Sequence, residues 1–569
     1  MKITGAEVIA RSLIANGITH VFNVPGFGIH PLIDAIKRRR EQLNYFSGPS
    51  ETAIALMADG YGRATGRPAF VNVYHASGTA LGLVGVTTAW ADRSPMLFTT
   101  TTTSRRLARS DGYASVPEDI TQVTRQFTKL SWEVPTVERI PEAVARAAML
   151  AGTPPMGPVH LAFPLDLYTE EVDEEVIAAS FLARPDRLNV YSANCADPAG
   201  VARAADLLGT AQRPLLVAGG ELAQCHAIDA MVSLADRLRV PVLGEPYVAY
   251  MGFPNQHPRF AGRYSARHPL VKRADVILMA GTELTGGSGA PLVPPSEAKV
   301  IYLSSDVREF GKQVWADVGL HGHPKATLEA LASAIKARAP KDGRDPAWED
   351  DVQQHLSSYR ARLRAERERT ASASKPIDLP RLIDAITDVF GADALIVDHS
   401  TTGTAYVLEM MQFRDPRNYF GISARASAQG WGGPASIGVQ IASPERRVVT
   451  LLGDGGFMFT ASTLYAAAQW QLPITFVVLA NGGWHDVAYS AMKNRGWTEE
   501  DIRAFGWGAD PRIDYVGFAG SLGLRGSCVE DVSGLQGALA QARDGAGPAL
   551  IEVRSDPAAT PYYLSFVSA

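Results

Sequence analysis

Short continuous apolar runs recur along the chain, each closed by glycine, proline or small polar residues. Between them lie stretches whose apolar residues fall at helical spacing. The first series of runs is Thr19–Val24, Leu43–Phe46, Ala69–Tyr74, Pro95–Thr100 and Gly157–Pro164. Helices are predicted over residues 5–18 and Phe27–Lys37, from Gly48-Pro49-Ser50-Glu51 through Ala64, and from the His75–Thr79 turn to Trp90. Apolar runs without alternation suit strands covered on both faces, and repeated strand–turn–helix units predict a doubly wound parallel sheet. A second series follows at Pro214–Ala218, Pro241–Leu243, Val276–Ala280 and Val300–Leu303, and a third at Ala394–Asp398, Val448–Leu452, Ile474–Leu479 and Ala549–Val553. The fold class is therefore α/β, with three doubly wound domains at residues 1–180, 190–340 and 378–569. Residues 341–377, which include RARLRAERERTASASK, read as a linker made of a solvated helix and a Ser-rich hinge. The first and third domains share an architecture, as duplicated halves would.

Composition narrows the function. A chain of 569 residues exceeds what one core usually serves, and 46% hydrophobic with 20% charged residues describes a globular protein. A net charge of −5 argues against nucleic acid, whose phosphates require clustered Lys and Arg. Cys195, Cys225 and Cys528 are too far apart for a CxxC metal site or a disulfide framework. The N-terminus lacks the unbroken apolar core of a signal peptide, and no apolar stretch is long enough to span a bilayer. A cytoplasmic protein is expected.

The chemistry concentrates in residues 448–487. Val448–Leu452 ends in Gly453-Asp454-Gly455-Gly456, and Ile474–Ala480 ends in Asn481-Gly482-Gly483. Two parallel strands joined by a helix carry Asp454 and Asn481 to one edge of a sheet, where α/β proteins bind ligands. A carboxylate, an amide oxygen and a glycine carbonyl form a hard-oxygen set suited to Mg²⁺ on a diphosphate. The glycines let backbone N–H groups approach phosphate oxygens.

This Gly-Asp-Gly to Asn spacing resembles the signature of the thiamine-diphosphate-dependent decarboxylase and carboligase family. The resemblance covers nearly the whole chain. It is carried also by Asn72-Val73 through Ser77-Gly78-Thr79, Gly157-Pro158-Val159, Phe253-Pro254 with His257-Pro258, and Gly433–Gly438. Within the family the chain is most similar to the benzoylformate decarboxylase branch. The resemblance implies pyrimidine-binding, middle and diphosphate-binding domains in that order. It also implies a cofactor shared by two subunits of a homodimer or homotetramer. Matched by position, Asp454, Asn481 and the Gly483 carbonyl are implied to bind Mg²⁺. Gly453, Gly455, Gly456, Thr401 and Thr402 are placed at the diphosphate, with Trp484 and His485 adjoining the metal loop. Ser427 and Gln429 are placed at the pyrimidine, and Glu51 is implied to hydrogen-bond the aminopyrimidine and activate the cofactor. A carboxyl group in a low-dielectric site keeps a proton readily enough for that role.

Some positions depart from the pattern. Gln429 stands where relatives carry a large apolar side chain, Phe27 where the benzoylformate decarboxylase branch has serine, and His75 only approximately matches that branch's histidine. No counterpart of its second histidine is visible in Gly281–Gly289, nor are the paired histidines of pyruvate decarboxylases. His30, His75, His485 and Asp486 are candidates for proton transfer, because histidine titrates near neutrality. Phe27, Tyr74 and Trp484 are candidates for an apolar acyl pocket. The middle-domain run Gly281–Gly287 lacks a G-x-G-x-x-G fingerprint, so FAD is not expected. The expected activity is decarboxylation of a 2-oxo acid with benzoin-type carboligation, the substrates being small 2-oxo acids, ketones or aldehydes. Alternatives are a diketone C–C hydrolase resembling cyclohexane-1,2-dione hydrolase, an acetolactate-synthase-like acyl transferase, and a non-catalytic protein retaining the cofactor fold.

Overall fold

The computed structural model describes residues 1–107, 117–180, 190, 192–284, 292–312, 314–337, 344–371, 376–508 and 511–555. Parts of the expected linkers (183–189 and 372–375), the 285–287 portion of the middle-domain glycine run, and 556–569 lie outside the described residues.

Three parallel six-stranded sheets flanked by helices bear out the α/β, three-domain expectation. Laterally, the first runs Asn44–Ser47, His20–Asn23, Ala69–Tyr74, Met96–Thr102, Pro158–Pro164, Ser131–Glu133. The third runs Tyr419–Phe420, Leu395–His399, Val448–Gly453, Ile474–Leu479, Ala549–Val553, Arg525–Val529. By place in the chain, both read second, first, third, fourth, sixth, fifth. The shared order matches the expected duplication. The middle sheet runs Phe260–Arg263, Val242–Gly244, Pro214–Ala218, Val276–Ala280, Lys299–Ser304, Val318–His321. Its order is that of dinucleotide folds, third, second, first, fourth, fifth, sixth.

Burial on both faces explains the apolar runs. In the middle sheet Leu216, Ala218, Leu278 and Ala280 join one core, and Leu215, Val217, Ile277 and Met279 join the other. Successive side chains thus serve opposite faces, and both need to be apolar. The strands that the pattern did not predict are short or lie at sheet margins: Ser131–Glu133, Phe260–Arg263, Val318–His321, Tyr419–Phe420 and Arg525–Val529. An antiparallel pair, Lys2–Thr4 with Glu171–Asp173, was also not predicted. Strands this short or half-exposed leave little apolar signal.

The chain divides into two compact units. One comprises residues 1–191, 425–446 and 460–474; the other comprises 192–424, 447–459 and 475–569. Residues 344–371 of the expected linker contain one long helix, Pro346–Ala371. The expected turn at Gly78-Thr79 is instead inside a helix, His75–Ala91, which begins directly after the Ala69–Tyr74 strand.

Candidate active site

In the first unit His30, Glu51 and His75 each begin a helix that follows a strand of the first sheet. Ser50 caps the Glu51–Thr65 helix, its hydroxyl accepting from the Ala53 N–H at 3.2 Å, so Glu51 is the first helical residue. The half-buried Glu51 side chain lies against Gly78. A Cβ on Gly78 would stand 3.2 Å from Glu51 Oε1 and 3.4 Å from its Cγ.

His75 opens the neighbouring helix with φ of 53°, a left-handed value that non-glycine residues adopt at a cost. Its buried imidazole faces the Tyr74 ring, 3.8 Å between centroids, and its Nδ1 is 3.5 Å from Thr103 Oγ1. Burial pushes its pKa below the usual histidine value, so the neutral ring is favoured. It borders a cavity of about 270 Å³ that Thr102, Thr103, Arg105, Glu133 and Pro164 also line.

His30 is exposed at the start of the His30–Lys37 helix, and Phe27, offered as a pocket wall, is 79% exposed. Ser427, with φ of 44°, and Gln429 are exposed in the segment before the Gly432–Ala442 helix.

The second unit carries the expected metal loop. Asp454 follows the Val448–Gly453 strand and accepts three backbone N–H groups: Gly455 at 2.8 Å, Gly482 at 3.0 Å and Gly483 at 2.9 Å. Burial pushes its pKa up, against those same N–H donors. The two glycine loops therefore touch. A Cβ on Gly455 would meet the Gly483 carbonyl and Trp484 Cδ1, both at 3.3 Å. Gly482 and Gly483 have φ of 104° and 114°, values that only glycine takes readily. The Asn481 Oδ1 is buried without a hydrogen-bond partner. An orphaned amide oxygen beside a carboxylate and a glycine carbonyl fits a hard cation, which would supply the missing partner. Among the described residues no group of three or more His, Cys, Asp and Glu side chains forms a metal site. The set here relies on an amide and a backbone carbonyl.

Thr402 Oγ1 donates to Asp486 Oδ1 at 2.9 Å, which ties the loop after the Leu395–His399 strand to the His485–Arg495 helix. Burial raises the Asp486 pKa, opposed by Thr402, and its Oδ2 is buried without a partner. Thr401 is exposed with φ of 55°, Trp484 is 42% exposed, and His485 and Asp486 are half-buried. Gly453 and Gly456 flank Asp454 at the strand-to-helix turn.

Within each unit some of the candidate residues come into contact. In the first, Glu51 lies against Gly78 on the helix that His75 opens; in the second, Asp454 bonds the Gly482 and Gly483 N–H groups, Trp484 lies beside Gly455, and Thr402 bonds Asp486. Sequence reading missed the Gly78–Glu51 contact and the Thr402–Asp486 bond. Neither leaves a local signal, because the partners lie on different elements.

Models of the thiamine pyrophosphate enzymes match three segments: the N-terminal TPP binding domain over residues 3–124, the central domain over 201–331 and the C-terminal TPP binding domain over 401–553. The chain belongs to the thiamine pyrophosphate enzyme family. As one of its members, it is 29% identical over 558 residues to a benzoylformate decarboxylase of Pseudomonas aeruginosa, covering 96% of this chain and 97% of that one. It is 25% identical over 575 residues to a probable acetolactate synthase large subunit of Methanocaldococcus jannaschii, covering 97% and 92%. A solved thiamine diphosphate-dependent 4-hydroxybenzoylformate decarboxylase from Rhodococcus jostii superposes with a TM-score of 0.84 at 26% identity, covering 98% of this chain and all of that one. This thiamine pyrophosphate enzyme is accordingly a carbon–carbon lyase, with decarboxylases among its relatives.

Proposed function

We propose that the protein decarboxylates a 2-oxo acid, using thiamine diphosphate and Mg²⁺, and joins the resulting acyl unit to an aldehyde in a benzoin-type carboligation. The observation that carries the cofactor reading is the junction of the Asp454 and Asn481–Gly483 loops, with its orphaned amide oxygen. The decarboxylase reading is supported by similarity to the benzoylformate and 4-hydroxybenzoylformate decarboxylases.

When bound, thiamine diphosphate supplies a carbon nucleophile and an electron sink for cleaving a bond next to a carbonyl. Asp454, Asn481 and the Gly483 carbonyl hold Mg²⁺. Gly453, Gly455 and Gly456, with Thr401 and Thr402, would face the diphosphate, and Trp484 lies beside Gly455. Ser427 and Gln429 lie at the pyrimidine. Glu51 would hydrogen-bond the aminopyrimidine. A neutral His75, bordering the cavity, accepts or returns a substrate proton; His30, His485 and Asp486 are the other candidates. Family membership supports a homodimer or homotetramer as part of the same reading. Cys195, Cys225 and Cys528 form no disulfide with one another, which suits a reducing cytoplasm. The domain boundaries at 180, 190, 340 and 378 belong to the same proposal.

Two measurements test it. Protein with Mg²⁺ and thiamine diphosphate is offered benzoylformate, pyruvate, longer 2-oxo acids and a cyclic 1,2-diketone, while CO₂ and organic products are followed together. CO₂ with an aldehyde or 2-hydroxy ketone is the expected result; diketone loss without CO₂ would move the assignment to C–C hydrolysis. Exchange of the thiazolium C2 proton is expected in wild type and slower by about 10²–10⁴-fold in Glu51→Gln. Exchange at the uncatalysed rate in wild type would end every enzymatic reading.

A further inference from the structure

His160 sits mid-strand in Pro158–Pro164, fully buried, and takes no part in the chemistry above. Both ring nitrogens are engaged: Nε2 with Thr100 Oγ1 at 2.9 Å, and Nδ1 with Thr124 Oγ1 at 2.7 Å. Thr100 Oγ1 is 2.8 Å from Thr79 Oγ1, which is 2.8 Å from the carbonyl oxygen of His75.

The direction of this chain follows from donor counting. A carbonyl cannot donate, so the Thr79 hydrogen points to the His75 oxygen; otherwise two bare oxygens would face each other at 2.8 Å. Thr79 has spent its hydrogen and accepts from Thr100. Thr100 has then spent its own and accepts from His160, which must carry its hydrogen on Nε2. Burial pushes the His160 pKa down to about 3, which keeps the ring neutral. Its Nδ1 is then bare and accepts from Thr124, whose hydroxyl is 2.7 Å from it and 3.4 Å from another acceptor, the Thr121 carbonyl. The order Thr124 → His160 → Thr100 → Thr79 → His75 carbonyl runs one way only.

A chain that ends on a carbonyl cannot deliver a proton, so it is a brace and not a proton wire. What it braces is the start of the His75–Ala91 helix, where Tyr74 provides no side-chain cap and His75 has φ of 53°. The same turn carries Gly78, against which Glu51 rests.

We propose that His160 is a positioning residue: as a fixed Nε2–H tautomer it orients the Thr100 and Thr79 hydroxyls toward the His75 carbonyl, and so holds the His75 ring and the Gly78 turn in their working places. The inference rests on the reading that His75 and Glu51 act in the reaction.

The test pairs His160→Leu, which removes the donor, with His160→Gln, whose amide keeps a donor and an acceptor. Thr79→Val removes the last link at nearly constant volume and serves if the leucine variant folds poorly. His160→Leu and Thr79→Val are expected to lower kcat by about tenfold to a hundredfold with KM nearly unchanged, as small misplacements of reacting groups do. His160→Gln should keep most of the activity. Wild-type kcat in both donor-removing variants, equal damage in the glutamine variant, or a loss that only tracks the folded fraction would overturn the proposal. Neutron diffraction of the wild-type protein reads the chain independently: deuterium on His160 Nε2 is expected, and deuterium on Nδ1 would overturn it. If His75→Ala leaves turnover unchanged, the reading of the site fails, whereas the chain itself is still judged by the neutron map.

Discussion

Gly78 lacks a side chain where one would stand 3.2 Å from the Glu51 carboxylate. The backbone there is helical, so alanine fits the chain and has the higher helix propensity, worth about 0.8–1 kcal/mol. Gly78→Ala is therefore expected to fold at least as well as wild type yet lose about tenfold or more in kcat, since its Cβ displaces Glu51 by a few tenths of an ångström. Thermal unfolding beside steady-state kinetics separates the two effects; unchanged kcat would show that Glu51 yields without consequence. At this scale much was legible. Glu51, Asp454 and Asn481 stand at the starts of helices or ends of apolar runs, as the sequence pattern predicts. Gly78 was legible as a glycine but was read as part of a turn. Its neighbour Glu51 is on another helix, and a one-dimensional pattern holds no record of which elements touch.

The Glu51–Thr65 helix is held by close backbone approaches and a buried charge network within its unit. A Cβ on Gly60 would fall 2.1 Å from the Ala435 carbonyl oxygen, one on Gly438 1.8 Å from that of Met57, and one on Gly85 2.4 Å from the Ala55 Cβ. Neighbouring helices thus reach this one through glycines. Arg63 donates to Asp59 and Asp92, each at 2.7 Å; all three side chains are fully buried. The Trp431 indole N–H donates to Asp59 at 2.7 Å, and the Arg63 guanidinium lies 4.5 Å from the Trp431 ring centroid. Burial raises the Asp59 pKa, and Arg63 opposes it most strongly. Arg63→Met leaves Asp59 and Asp92 buried without their cation, and is expected to destabilise the protein by about 3–5 kcal/mol, read from the urea midpoint. A change within error would mean that both aspartates take up protons and need no partner. The sequence could not announce this network. Asp59 and Arg63, four apart, look like an ordinary surface helix pair, and the tryptophan that completes them is 372 residues away from Asp59.

Across the whole molecule, burial sets opposing pH limits on stability. Burial lowers the pKa of His20 and His399 to about 4, and of His160 and His268 to about 3. Below the unfolded value near 6.5 the unfolded chain binds protons that the folded chain refuses, so stability falls as pH drops toward 4. Glu245 has the opposite sign. Burial, with Glu283 nearby, raises its pKa to about 8, so its contribution is complete below about 4.5 and is lost as pH rises toward 8. Melting temperature is expected to fall between pH 6.5 and 4. Glu245→Gln should flatten the decline between pH 6 and 8.5, and an unaltered alkaline slope would count against that assignment. The sequence by itself determined the α/β class, the buried strands and the chemistry-bearing turns. Apolar period and glycine placement are local properties, and every residue expresses them in its own neighbourhood. Tertiary structure alone decided the short edge strands, the helical start at His75, the charge network around Arg63 and the one-way chain through His160. Each depends on residues far apart in sequence coming within hydrogen-bond or van der Waals distance, and that proximity exists only once the sheets have formed.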